Sequence, residues 1–294
     1  MAHLDSTYAS YETFLNQSDA VWTVDLTALN SSGVSGSAIL AVNTEEDGTR
    51  YLNVAVTATG LTPNETHVQH VHGLFDEAGT PIDSVTPTLA DDADRDGMVE
   101  VLEGVGRYGD VLLPLDDMMD TMPVADETGL VSFIQSYELG DASNFFSPVT
   151  DTDYTADDLM PLELREVVLH GVAVPDGVGE GTDGEVNGGE NGYVPILPAA
   201  AGTIESSSLG AALDLLGQQR ALASNELIGD GVDNVLAGGA GEDRVIGNGG
   251  NDDLSGAAGS DFLAGVAGND IASGGDGNDK IGRASCRERV FPVV

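Results

Sequence analysis

The sequence predicts a mainly β protein in two parts, an antiparallel β-sandwich followed by a parallel β-roll, with a short helix between them. Two observations carry this. From Gly238 to Ile281 the chain repeats every nine residues, the mark of a solenoid. Between residues 21 and 200 it reads as short, apolar-alternating segments divided by turn residues, the pattern of a sandwich or barrel. At 294 residues there is room for one sizeable core and a small module.

Residues 1–20 read as a polar N-terminal arm carrying Tyr8, Tyr11 and Phe14. The sandwich domain, 21–200, opens with four predicted strands: VWTVDLTAL from Val21, SGSAILAVN from Ser35, RYLNVAVTATG from Arg50 and THVQHVHGLF from Thr66. Turn residues at Asn30–Gly33 and Glu46–Gly48 separate the first three. Leu52, Val54 and Val56 alternate as one buried face requires. DVLLPL and GLVSFIQSYEL follow an acidic loop, and a short helix is expected at TADDLMPLEL, where Thr155 and Asp158 have capping spacing. REVVLHGVAV is a further strand, Pro175–Gly192 a Gly/Glu/Asp-rich loop, and YVPILPAA a closing strand. Over 201–226 a linker helix is expected, with Leu209, Leu213, Leu216 and Leu222 at helical spacing and a role in capping the first coil of the roll.

The roll, 227–282, has a strict register. Position 1 is Gly238, Gly247, Gly256, Gly265 and Gly274; position 4 is Gly241, Gly250, Gly259, Gly268 and Gly277. Position 6 is Asp243, Asp252, Asp261, Asp270 and Asp279; position 8 is Val245, Leu254, Leu263, Ala272 and Ile281. A looser unit from Gly229 leads in. Glycines allow a sharp turn in each half-repeat, and the single apolar residue points inward. Two repeats make a coil, so Asp243, Asp261 and Asp279 fall on one edge, Asp252 and Asp270 on the other. Carboxylates stacked this way repel unless a hard, oxygen-seeking cation lies between them. A Gly/Asp-rich flexible linker would not hold this register. The pattern resembles the RTX calcium-binding nonapeptide, and the resemblance implies several bound Ca²⁺ ions, the glycines and aspartates of the repeat as the binding residues, and a secreted bacterial protein exported in one step.

Fifty acidic residues face ten basic ones, a net charge of −40. Such a surface disfavours nucleic acid and anionic membranes and favours cations. No apolar run approaches a membrane span, and the first twenty residues lack the basic and apolar regions of a cleaved signal peptide. Cys286 is the lone cysteine, so no disulfide framework exists. Lysine is absent before Lys280; then Arg283, Arg287 and Arg289 follow within ten residues. The string IGRASCRERV matches the translation of a common sequencing adapter, so residues 283–294 are expected to be read-through, with further repeats and the type I secretion signal beyond the recorded chain.

Residues 92–103 read DADRDGMVEVLE. Asp92, Asp94 and Asp96 occupy positions 1, 3 and 5, Gly97 position 6 and Glu103 position 12; Met98 offers a carbonyl at 7 and Glu100 a carboxylate at 9. This is the calcium-loop pattern of an EF-hand, in which alternate groups of a tight loop converge on one ion. Pro81 and Pro87 stand where an entering helix belongs, and Gly104 and Gly106 shorten the exiting one. The loop is therefore expected to stabilise the domain, not to act as a sensor.

Four of the five histidines fall in two strands: His67, His70 and His72 in THVQHVHG, and His170 in VVLHG. His70 and His72 share a face; His67 has the other parity unless it precedes the strand. The HVQHVHG stretch, the strand pattern and VLHG resemble the CHRD (chordin-type) domain over residues 21–200, which implies a binding or structural module. The residues themselves allow two readings, a Zn²⁺ or Cu²⁺ site of His70, His72 and His170 or packed histidines holding loops by hydrogen bonds. No G-x-S-x-G occurs and the domain has no cysteine, so no catalytic set is nominated. The preferred reading is a secreted calcium-binding protein. A metalloenzyme working at the histidines, with a sandwich resembling superoxide dismutase, is the second. An adhesion or surface-layer component with an extracellular protein or polysaccharide partner is the third.

Overall fold

The computed structural model describes residues 7–117, 121–175, 192–282 and 289–290. The chain forms two compact units, residues 18–212 and residues 1–17 together with 213–294. Residues 176–191 of the expected loop at Pro175–Gly192, and most of the tail assigned to adapter read-through, lie outside the described residues.

The N-terminal arm is partly helical. It contains a helix, α1 (Tyr8–Leu15), capped by Thr7, whose hydroxyl accepts from the Ser10 amide at 3.2 Å. Tyr8, Tyr11 and Leu15 are buried; steps of three and four put them on one stripe. Polar residues between them conceal that stripe in the sequence. This segment belongs with the C-terminal unit, where Glu12 pairs with Arg220 at 3.7 Å.

Residues 18–212 form one antiparallel sheet folded into a sandwich. Its strands are β1 (Ala20–Ala28), β2 (Ser35–Thr44), β3 (Arg50–Thr59), β4 (Gln69–Phe75), β5 (Pro81–Ile82), β6 (Asp110–Pro114), β7 (Val131–Glu138), β10 (Arg165–Val174), β11 (Gly192–Thr203) and β12 (Glu205–Ser206). A separate small ribbon pairs β8 (Phe146–Ser147) with β9 (Thr152–Asp153). The order β4-β10-β11-β1-β2-β3-β7 runs through the sheet, and β6 adds to β4. β1 belongs to both layers: it pairs with β2 along its length and with β11 at Thr27 and Ala28. Leu40, Val54 and Phe133 from one layer share a core with Val71, Leu113, Val167 and Leu169 from the other.

Predicted turns and helices fall close to their places. β2 and β3 are joined at Glu45–Thr49, where Gly48 takes φ +89° and Asp47 accepts from the Thr49 amide. The helix expected at TADDLMPLEL is one turn, α3 (Ala156–Leu159), with reciprocal Thr155–Asp158 capping; Pro161 then stops it and a 3₁₀ turn takes Leu162–Leu164. The closing strand β11 extends past YVPILPAA on both sides.

β10 decides where chemistry can sit. It is buried on both faces. Val167 and Leu169 enter the sandwich core, whereas Val168 packs with Leu29, Tyr108, Ala201 and Val105. Tyr108 and Val105 belong to α2 (Val101–Tyr108), the helix leaving the acidic loop. That loop and helix therefore roof the outer face of the β4–β10 layer.

In the other unit, α4 (Leu209–Ala223) straddles the boundary at Leu213. Its buried stripe is Ala212, Leu216, Gln219 and Ala223; of the expected leucines only Leu216 belongs to it, while Leu209 and Leu222 are 39 % and 56 % exposed. Steps of four, three and four follow the helix surface better than the leucine spacing does. The roll has two parallel sheets, β13 (Glu226–Ile228), β15 (Arg244–Ile246), β17 (Phe262–Ala264) and β19 (Lys280–Gly282) against β14 (Val235–Ala240), β16 (Asp253–Ala258), β18 (Ile271–Asp276) and β20 (Arg289–Val290). Partners are eighteen residues apart, as in Val245, Leu263 and Ile281. Val245, Leu254, Leu263 and Ala272 form its thin core.

Candidate metal sites

The eighteen-residue coil puts the position-6 aspartates in two files. On one edge the Asp243 amide donates to Asp261 Oδ1 at 2.9 Å and the Asp261 amide to Asp279 Oδ1 at 3.1 Å. On the other, the Asn234 amide donates to Asp252 and the Asp252 amide to Asp270, at 2.9 and 3.0 Å. Each carboxylate thus spends one oxygen on the preceding coil. The second oxygen, Oδ2 of Asp243, Asp252, Asp261 and Asp270, is buried and has no protein partner. It folds over the position-1 glycine of its own repeat, so a Cβ at Gly238, Gly247, Gly256 or Gly265 would collide with it, and one at Gly274 with Asp279 Oδ2. The position-4 glycines have φ between +103° and +144°, and a Cβ at Gly259 or Gly268 would lie on the Gly241 or Gly250 carbonyl.

Burial lifts the Asp243 carboxyl to about 6, against the pull of the Asn225 amide and with Asp261 adding repulsion; burial raises Asp261 as well. Buried carboxylate oxygens without donors are costly unless something neutralises them. An all-oxygen donor set beside glycine carbonyls suits a hard divalent cation.

Residues 228–263 and 255–282 match the family model of the RTX calcium-binding nonapeptide repeat (4 copies). This stretch is a run of RTX calcium-binding repeats. No curated protein matches the chain. The RTX roll begins earlier than the perfect repeats indicate. Asn225 and Asn234 stand eighteen residues before Asp243 and Asp252 and bind their Oδ1 atoms through backbone amides. A second ladder, Asp233–Asn251–Asn269, runs at position 5. Both follow from counting back by eighteen, a signal that the nine-residue frame obscures.

The acidic loop of the sheet domain is built from its own backbone. Asp92 accepts from Arg95 and Gly97 amides at 2.6 and 3.0 Å, and Asp96 from Met98 at 2.7 Å. Arg95 and Gly97 take φ of +69° and +94° to make the turn. One oxygen each from Asp92, Asp94 and Asp96 lies within 4.8 Å of the others, and the same holds for Asp94, Glu100 and Glu103. The loop's carboxylates therefore meet as two triads sharing Asp94. Glu100 caps α2 and Glu103 caps it reciprocally. Glu100 is 2 % exposed, with Oε1 unpartnered, as is Asp96 Oδ2. Burial, then the side-chain hydrogen bond with Glu103 and the charge of Asp96, push Glu100 up to about 8. No helix enters the loop; β5 and irregular chain precede it.

Asn30 is the residue the sequence did not flag. Its side chain donates to Val99 O at 2.9 Å and accepts from the Val99 amide, the two bonds a neighbouring strand would make, and it also donates to Pro198 O on β11. Val99 is position 8 of the loop. Asn30 can do this because it sits at φ +53°, which asparagine tolerates.

His70, His72 and His170 come together on the outer face of β4 and β10, and His67 does not join them. One ring nitrogen from each of the three lies within 4.8 Å of the others, and the rings are 5.3–6.0 Å apart. All three are buried. Burial, then neighbouring histidines, holds His70 well below its usual value; burial and His170 lower His72 to about 3, and burial lowers His170 to about 4. His67 precedes β4, with Nδ1 at 2.9 Å from His170 O and Nε2 at 3.0 Å from Thr62 O.

Proposed function

We propose that this chain is a secreted calcium-binding protein whose RTX roll folds when it meets extracellular Ca²⁺, and whose antiparallel domain is a CHRD-like binding or structural module with a calcium loop of its own. The row of buried, unpartnered Oδ2 atoms supports the first part. Asp243, Asp252, Asp261 and Asp270, with the glycine carbonyls beside them, would hold the ions, and calcium would supply the positive charge that these oxygens lack. The thin core offers one modest apolar residue per nine, too little to offset ordering a glycine-rich backbone at ~1–2 kcal/mol per residue. Folding and metal binding are then one event.

The reading of the loop rests on its D-x-D-x-D-G-x5-E spacing and on the unpartnered, buried oxygens of Asp96 and Glu100. Asp92, Asp94, Asp96, Glu100 and Glu103, with the Met98 carbonyl, would be its ligands. Extracellular modules bind calcium at ~10⁻⁴–10⁻³ M, so the roll would stay unfolded inside a cell and set outside it. The test is amide hydrogen exchange on the full chain in EDTA and in ~10 mM calcium. Residues 226–282 should exchange freely in EDTA and become protected in calcium. Equal protection in both would overturn the reading.

A further inference from the structure

We propose that His70, His72 and His170 hold one transition-metal ion, zinc or copper, beneath α2. The hydrogen bonds of the rings fix where their lone pairs point. His72 Nδ1 lies 3.0 Å from Gly109 O and His170 Nδ1 lies 2.7 Å from Ile196 O. A carbonyl only accepts, so both rings carry their proton on Nδ1 and present a bare Nε2. Those two Nε2 atoms and His70 Nδ1 are the buried ring nitrogens with no partner. The three residues are 6 %, 2 % and 3 % exposed, so bulk solvent does not reach these nitrogens.

Packed histidines holding loops would use both nitrogens, as His67 does. Two bare Nε2 acceptors and a third unpartnered ring nitrogen beside them would each cost ~1–3 kcal/mol. A metal removes all three penalties at once. The backbone carbonyls on the opposite nitrogens are the outer contacts that orient imidazole ligands at metal centres.

The fold is distorted at this spot in a way that serves the rings. The β10–β11 register shifts on both sides of His170, which brings the Ile196 carbonyl to its ring. Gly171 takes φ +104°, and a Cβ there would meet Tyr193 and His67. His67 in turn bonds the His170 carbonyl. On the other side, Gly109 ends α2 and Tyr108 packs on the His72 ring at 4.6 Å. Three neutral imidazoles suit zinc and copper and do not suit calcium, which takes oxygen. The protein then keeps two kinds of ion apart by donor chemistry: calcium at carboxylates, a softer ion at nitrogen.

The experiment uses the full chain, stripped of metal and then held in ~10 mM calcium so that the carboxylates are occupied. Zn²⁺ and Cu²⁺ are titrated separately. One equivalent of at least one of them should bind and resist further calcium. His72→Gln and His170→Gln should each weaken it by at least ~100-fold, with near-ultraviolet circular dichroism reporting whether each variant folds. Should the variants unfold, the wild type decides by itself: electron paramagnetic resonance of the Cu²⁺ form, or X-ray absorption of the Zn²⁺ form, should show three imidazole nitrogens. Wild type that takes up neither ion, or an ion with oxygen ligands only, overturns the proposal.

Discussion

Asn30 shows how much one side chain can hold. Its amide makes three hydrogen bonds, two to Val99 and one to Pro198, and it is buried. Asn30→Ala leaves those backbone groups unpaired, which should destabilise the sheet domain by ~3 kcal/mol and weaken calcium binding at residues 92–103. Denaturant unfolding in calcium would show it; an unchanged midpoint would mean that the clasp is redundant. Glu166 gives the pH dependence. It is fully buried on β10, bonded to the Thr86 and Thr203 hydroxyls, and burial raises its pKa above 4.5 despite those bonds. A raised folded-state value means that the folded chain binds the proton more tightly than the unfolded one. This carboxyl's contribution is therefore greatest in acid and falls as pH climbs from 4.5 through the folded value. Glu166→Gln keeps the hydroxyl contacts and removes the charge, so stability should rise at pH 7 and the acid-side slope should flatten. Equal slopes for wild type and variant would contradict this.

The elements act as levers for the sites. α2 begins in the acidic loop at Glu100 and Glu103 and ends at Gly109, the acceptor for His72. Glu103→Ala removes the reciprocal cap and a proposed ligand together. It should lose one calcium equivalent from the full chain by isothermal titration and lower the melting temperature of the sheet domain; full stoichiometry would argue that the loop binds no ion. In the roll, Gly259→Ala would put a methyl against the Gly241 carbonyl at φ +138°. That strain costs ~1–3 kcal/mol and should raise the calcium concentration at which strand signal appears in circular dichroism. The same change at Gly239, where a Cβ meets nothing within 4 Å, should be milder; if both behave alike, close stacking is not what selects glycine.

At the scale of the molecule, two units with different dependencies should melt separately. In EDTA, scanning calorimetry of the full chain should retain only the transition of the sheet domain, whose core is continuous and apolar. Calcium should add a second. A net charge of −40 suggests that monovalent salt could do the same by screening. It should not, because the Oδ2 atoms are buried, and ~0.5 M sodium chloride shortens the range of charge without giving those oxygens a partner. A roll that folds in salt alone would assign the effect to charge repulsion. Among the described residues, no helix is long and apolar enough to cross a membrane.

What the sequence determined by itself is whatever repeats or alternates. The nine-residue register contained the coil length, the two aspartate files and the glycine turns, because a solenoid's contacts are a fixed number of residues apart. The strand pattern of the sheet domain and the spacing of the acidic loop were legible for the same reason: local periodicity records which face is buried. Tertiary structure alone decided the rest. That Asn30 clasps Val99 across sixty-nine residues, that α2 roofs the histidines, and that His67 braces His170 instead of joining it are matters of contact between distant segments. α1 was hidden because its buried stripe is only three residues long. Leu209 and Leu222 face outward because the helix surface, and not leucine content, chooses the side that packs.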